Sequence, residues 1–161
     1  MSEREENREK REKYREKYKP KNGVRCLFVA ESPPRNSDRF FYFENVKEKD
    51  WLYIALMKAL YRQEIKKTGL TDSRLISDLR TKKKEYLQDF CKDGFYLIDT
   101  VDYEFEINTR NEKISKITKQ KIPLLRKIQQ IHPSNKEKFP VILISKNVFD
   151  IMNGFLRSSK I

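Results

Sequence analysis

The sequence predicts an α/β fold: a three-layer α/β/α sandwich around a short, mainly parallel sheet. Three observations predict it. Residues 24–30, 95–101 and 140–145 are short runs dominated by β-branched, aromatic and aliphatic residues. They do not alternate with polar residues as half-exposed strands do, which is the pattern of strands covered on both faces. Segments with helical spacing separate them, and right-handed crossovers between parallel strands place such helices on both sides of a sheet.

Residues 3–17 mix Glu, Arg and Lys with almost no apolar residue. They are read as a charged N-terminal extension, 1–22, either an exposed helix held by Glu/Lys pairs or disordered, outside the core. Pro20, Asn22 and Gly23 punctuate the start of the folded domain, 23–161. Val24 to Ala30 forms the first strand, stopped by Glu31-Ser32-Pro33-Pro34, since two prolines continue neither strand nor helix. Arg39 to Phe43 is an aromatic loop or short extended piece. Asp50 to Lys66 reads as a helix capped by Asp50, with Trp51, Ile54, Ala55, Lys58 and Tyr61 on one stripe, Leu56, Met57 and Leu60 widening it, and Gly69 as its stop. A second helix starts near Thr71 or Asp72, uses Leu75, Ile76, Leu79, Tyr86, Leu87 and Phe90, and stops at Gly94. Phe95 to Val101 is the second strand. Ile114, Ile117, Leu124, Leu125, Ile128 and Ile131 give a third helix that Pro123 should kink or divide. Pro140 to Ser145 is the third strand, and Val148, Phe149, Met152, Phe155 and Leu156 mark a closing helix.

Composition narrows the function. The 161 residues carry a formal charge of +12, with 27 Lys/Arg against 18 Asp/Glu in 23–161, so the body is basic without the extension. A basic, 12% aromatic chain favours a polyanion, most simply nucleic acid, although excess lysine can also serve solubility alone. The four glycines are too scattered for a P-loop or a GxGxxG turn. One histidine and two cysteines exclude HExxH and four-cysteine zinc sites and all-cysteine iron–sulfur clusters, so no metal or cofactor is expected. The longest apolar run, Trp51 to Met57, is far too short for a membrane span, and the first 22 residues do not resemble a signal peptide. Cys26 and Cys91 suggest no disulfide framework. The expected location is a reducing cytoplasm.

In open parallel sheets, ligands bind beyond the carboxyl ends of the strands. Here those ends are Ala30 to Pro34, Asp99 to Tyr103 and Ser145 to Asn147. Glu31 and Asp99 therefore converge on one rim, with Asp102 just beyond. An acid directly after a strand also serves as a helix cap, and a carboxylate near the end of an apolar strand also serves as an ion-pair partner, because burying it alone is costly. The aromatic run 40–43 is either core or a stacking surface. Lys82, Lys83 and Lys84 are either a solvated face or phosphate contacts. His132-Pro133-Ser134 precedes the third strand, at the opposite end of the sheet, and reads as a turn.

Leu27-Phe28-Val29-Ala30-Glu31-Ser32-Pro33-Pro34, followed by Phe41-Tyr42-Phe43, resembles the first motif of the uracil-DNA glycosylase superfamily. It is most similar to the branch whose first strand ends in a Gly-Glu-Ser-Pro-Pro-type loop, with Ala30 here in place of the glycine. The resemblance implies an α/β/α domain with a four-stranded parallel sheet, acting on DNA. It implies that Glu31 positions or activates water, that Phe41, Tyr42 or Phe43 stacks on a flipped base, and that Ser32 helps hold base or water. Asp99, with Asp102 beyond it, matches the residue that reads the base edge, usually Asn in uracil-specific members. A carboxylate there only accepts hydrogen bonds, so it favours an amino group over uracil O4. The family's last motif follows a fourth strand. On that resemblance the domain is expected to be C-terminally incomplete, completed by a partner, or no longer catalytic. Three functions follow: a DNA glycosylase, a non-catalytic nucleic-acid-binding module on the same fold, or a protein-interaction domain whose charge serves solubility.

Overall fold

The structure, a computed structural model, describes residues 3–35, 37–46, 48–105, 109–131 and 138–161. The chain divides into two compact units: residues 1–18 with 36–90, and residues 19–35 with 91–161. His132-Pro133-Ser134 lies outside the described residues.

The second unit holds the sheet. Strands β1 (Cys26–Ala30), β2 (Phe95–Asp99) and β3 (Val141–Leu143) are ordered β2-β1-β3, and both pairings are parallel. All five residues of the central β1 are buried, which explains why its sequence is apolar without alternation. Its register with β2 runs from Cys26 opposite Phe95 to Ala30 opposite Asp99. Gly94 starts β2 with φ +80, and a Cβ there would stand 2.7 Å from the Arg25 side chain. Its carbonyl accepts from the amides of both Arg25 and Cys26, so only glycine allows the two strands to begin this close together. Edge strand β3 is less covered, with Ile142 44% exposed.

Three helices complete this unit: α6 (Arg110–Lys119), α7 (Lys121–Ile131) and α8 (Lys146–Ser158), numbered after the five helices described next. They pack on one another, and α8 also packs on β3. Ile117, Leu124, Ile128, Val148, Met152 and Leu156 form their buried stripe. Pro123 divides the predicted helix as expected, but from inside the first turn of α7, where its missing N–H costs little; the break itself falls at Gln120.

The first unit is helical: α1 (Glu3–Lys17), a 3-10 turn (Ser37–Arg39), α2 (Trp51–Leu60), α3 (Arg62–Thr68), α4 (Asp72–Thr81) and α5 (Lys83–Lys92), whose last residues pass into the second unit. Its core is aromatic. Phe40, Phe41, Tyr42 and Phe43 are all buried, with Tyr53, Ile54, Met57, Leu75, Leu79, Leu87 and Phe90.

Three expectations are corrected here. Residues 3–17 are not outside the core: α1 buries Arg11 and Arg15, and Tyr18 just beyond it is buried too. With Tyr14 these sit at i, i+3, i+4 and i+7, a helical face built from arginine and tyrosine rather than aliphatics. Tyr14 meets Phe43 edge-on, and the Arg15 guanidinium lies 5.3 Å from the Phe40 ring centre. The helix predicted over Asp50–Lys66 divides at Tyr61 into α2 and α3, although Gly69 stops α3 in the left-handed conformation as expected (φ +64). Asp50 makes no side-chain cap; Ile54 and Met57 of the predicted stripe are buried, but Trp51 is 61% exposed and Tyr53 takes a buried place instead.

Candidate functional site

β1 delivers Glu31 one residue past Ala30, and Ala30 pairs with Asp99 at the end of β2. Both acids thus stand on the same carboxyl rim of the sheet. The backbone continues to zip beyond the strands: the Thr100 amide and hydroxyl both donate to the Ala30 carbonyl (2.9 and 2.8 Å), and the Val101 amide donates to the Glu31 carbonyl at 3.1 Å. These bonds fix where Glu31 leaves the sheet. Asp99 is 3% exposed, whereas the Glu31 side chain keeps 20% exposure.

The carboxylate of Glu31 is held from three directions. The Ser145 hydroxyl donates to Oε2 at 2.8 Å, the Asn147 side-chain amide donates to Oε2 at 3.3 Å, and the Lys113 ammonium is 3.5 Å from Oε1. Ser145 is the N-cap of α8 and accepts from the Val148 amide. Its oxygen is thereby committed as an acceptor to the helix, and its one proton points to Glu31. The result is an oriented acceptor at the edge of solvent. Such a group can hold a water or lie against developing positive charge.

Ser145 to Asn147 is legible from sequence as a strand end on this rim, although its contact with Glu31 is not. Lys113 has no sequence signal, because it is one cation among several on α6.

The other predicted residues are placed as follows. Ser32 is half-buried in the loop after β1, and Asp102 pairs with Lys127 of α7 at 2.6 Å. Phe41, Tyr42 and Phe43 belong to the first unit, where other rings take up their surfaces. Phe41 meets Tyr42, Tyr53 and Phe90; Tyr42 lies parallel to Tyr18; Phe43 meets Phe40 and Tyr14. Phe43, with Lys10, Tyr14, Arg39 and Glu44, also lines a cavity of about 420 Å³ within that unit. Glu44 there is held below the usual carboxylate range by hydrogen bonds from Lys17 and Tyr18.

The lysine run divides. Lys84 is exposed, and Lys82 pairs with Asp78 at 2.7 Å. Lys83 is completely buried, which corrects its assignment as a phosphate contact. It lies four residues from both Leu79 and Leu87, on the inward face of the helical path. Its ammonium sits 4.3 Å from the Tyr53 ring centre and 3.5 Å from Asp50, and burial pushes its pKa down to about 8.

Among the described residues no group of three or more His, Cys, Asp or Glu could hold a metal ion, and no helix is long and apolar enough to cross a membrane. Cys26 and Cys91 are free thiols, and burial raises the pKa of each. Comparison with protein-family models, with curated proteins and with solved structures finds no match.

Proposed function

We propose that this protein hydrolyses the N-glycosidic bond of a modified or deaminated base in DNA, on a three-layer α/β/α domain of the kind its Glu31-Ser32-Pro33-Pro34 loop resembles. The observation that carries the reading is Glu31: an acid at the carboxyl rim of a parallel sheet, presented by the central strand and oriented by Ser145 and Asn147. Extrusion of a base costs a few kcal/mol, after which the sugar carbon becomes electron-poor as the base departs. The Glu31 carboxylate stabilises that charge and orients a water. The C1′–N bond breaks, a C1′–O bond forms, and the proton lost by water ends on the departing base. Asp99, one register position away, accepts from an amino group on the base edge.

A second reading is favoured by a specific observation. Phe41, Tyr42 and Phe43 are buried within the first unit, so the stacking partner expected of them is not on offer at their ring faces. On that reading the chain binds nucleic acid without cleaving it.

One experiment separates the two. Oligonucleotides carrying deaminated or alkylated bases, single-stranded and duplex, are incubated with wild type and with Glu31→Gln, and abasic sites are read by alkaline cleavage. Hydrolysis predicts release by wild type and a loss of about 100-fold in Glu31→Gln. Equal release by both proteins removes Glu31 from the mechanism. Binding by both with release by neither selects the second reading.

A further inference from the structure

We propose that the surface formed by Tyr103, Lys113 and Lys116 in the second unit is a binding track for single-stranded nucleic acid. This rests on the reading that the partner is a nucleic acid, though not on the reading that a base is hydrolysed. After β2 the chain presents two rings of opposite character. Phe105 is 5% exposed and acts as an anchor; Tyr103 is 46% exposed. The Lys116 ammonium stands 5.7 Å from the Tyr103 ring centre and 5.6 Å from that of Phe105, and Lys113 stands 5.8 Å from Phe105. Arg35, just past the two prolines, donates from Nε to the Phe105 carbonyl at 2.9 Å. Two lysines thus gather at one pair of rings, and a cation from another part of the chain ties down the backbone between the rings and α6.

The cations on α6 form a pattern. Arg110, Lys113, Lys116 and Lys119 recur every third residue, a ridge that winds half-way round the helix, so that neighbours such as Lys113 and Lys116 share a face while its two ends do not. The acid on this helix, Glu112, is held at the N-cap: the Thr109 hydroxyl donates to its carboxylate at 2.6 Å, and its amide donates back to that hydroxyl. One acid stands against four cations on the helix. Lys116 has no carboxylate within ion-pair distance among the described residues, while Lys113 faces Glu31. The ridge therefore runs toward the candidate carboxylate.

A cationic ridge beside an exposed ring is the arrangement that tracks a phosphate backbone while a base stacks. The ring selects the strand type. In a duplex the base faces are already stacked on each other, so a π-face is open to Tyr103 only where bases are unpaired. The exposed aromatic belongs to the same loop as the ridge's anchor, so stacking and phosphate contact act on neighbouring nucleotides.

The test is the affinity of the full chain for a labelled oligothymidine and for a duplex of the same length, across a salt series. Wild type is expected to prefer the single strand. Tyr103→Ala should weaken single-strand binding about tenfold, with Tyr103→Phe restoring it. Lys116→Gln should lower the slope of log affinity against log salt by about 0.7, the value for one lost phosphate contact on a single strand. Lys67→Gln, an exposed lysine on α3, is the control and should change neither quantity. The proposal is overturned if wild type binds no oligonucleotide, if duplex binds as well as single strand, if Tyr103→Ala and Lys116→Gln bind as wild type, or if the control loses as much as they do. Tight single-strand binding with these losses, in a protein that releases no base, keeps the track and ends the hydrolase reading. Base release with Tyr103→Ala and Lys116→Gln unaffected ends the track alone.

Discussion

Asp50 and Glu31 are both carboxylates at the entry or exit of a regular element, and their surroundings differ in kind. Asp50, before α2 in the first unit, has a side chain 1% exposed and two cationic neighbours, Arg80 at 2.9 Å and Lys83 at 3.5 Å. Asp50 Oδ2, an Arg80 terminal nitrogen and the Lys83 ammonium are buried with no hydrogen-bond partner. Glu31, in the second unit, stays 20% exposed and is held by a neutral hydroxyl, a neutral amide and one cation, Lys113 at 3.5 Å, itself partly in solvent. The first arrangement holds a buried acid between a fully buried lysine and an arginine that reaches solvent. The second orients one charge and leaves it reachable. That contrast separates an acid that holds a fold from an acid available to a ligand.

The sharpest way to break the contrast is Asp50→Asn. Removing the anion leaves Lys83 buried and uncompensated beside the Arg80 guanidinium, and losing one partner of a buried pair costs about 3–5 kcal/mol. The unfolding free energy should fall by that amount, and the denaturant midpoint by that amount divided by the slope, which should stay unchanged. A loss below about 1 kcal/mol would mean that water reaches the cluster and that the two carboxylates are alike.

Lys83→Met tests the same cluster in the opposite direction. Burial lowers the Lys83 pKa from its usual 10.5 to about 8, the Asp50 charge only partly opposing it. The folded state therefore binds this proton less tightly than the unfolded chain. Below about pH 8 both states are protonated and the full penalty is present. As pH rises toward 10.5 the folded state has already released the proton and the penalty disappears, so stability rises. Met keeps the packing without the charge and leaves Arg80 against Asp50, so it should relieve the penalty that the lowered pKa expresses and stabilise the protein at pH 7 by ~1–3 kcal/mol. The difference between variant and wild type should shrink between pH 8 and 10. Reading that difference, rather than either curve alone, cancels the opposing effects of Cys26, Cys91 and Tyr53, whose pKa values burial raises. A difference that stays constant over that window would mean that Lys83 keeps its ordinary pKa.

The elements legible in the sequence are those whose burial is aliphatic. β1 and β2 fall inside apolar runs, because strands covered on both faces need side chains with no polar atoms to satisfy; β3 also falls inside one, although none of its three residues is buried. The rim that carries Glu31 follows from the same reading, since strand ends alone decide it. What escapes is burial achieved by long polar side chains. Arg11 and Arg15 are buried on α1, the Arg15 guanidinium against the Phe40 ring, and hydrophobic periodicity does not count them. Lys83 hides in a lysine run because its two neighbours in that run are the exposed ones. The aromatic run 40–43 is ambiguous in principle: rings suited to stacking on a base are equally suited to stacking on each other, and only coordinates decide which partner they have.

Ser145→Ala is a smaller perturbation that joins fold to site. The hydroxyl caps α8 and donates to Glu31, so its loss removes one helix cap and one oriented hydrogen bond. Caps of this kind are worth about 1 kcal/mol. Thermal unfolding should register that loss, and base release, where present, should fall with KM nearly unchanged, because the substrate still meets the same surface. Asn147→Ala, which touches Glu31 without capping, should lower base release with a smaller change in stability.

The smallest expected effect on stability is the one with the largest consequence for the contrast. Glu31→Gln keeps the shape and still accepts from Ser145 and Asn147, and what it loses is one charge facing Lys113 at 3.5 Å, both groups being partly in solvent. Pairs of that kind contribute about 0–1 kcal/mol. The same carboxylate-to-amide change thus costs several kcal/mol at Asp50 and almost nothing at Glu31, as equilibrium unfolding of the two variants side by side will register. A Glu31→Gln variant that unfolds as readily as Asp50→Asn would make Glu31 a structural acid, and the orientation by Ser145 and Asn147 would then serve the fold. Near-neutral stability leaves those hydrogen bonds unexplained by folding, since stability can spare the charge they orient; groups kept in place without stabilising the fold are where function is to be sought.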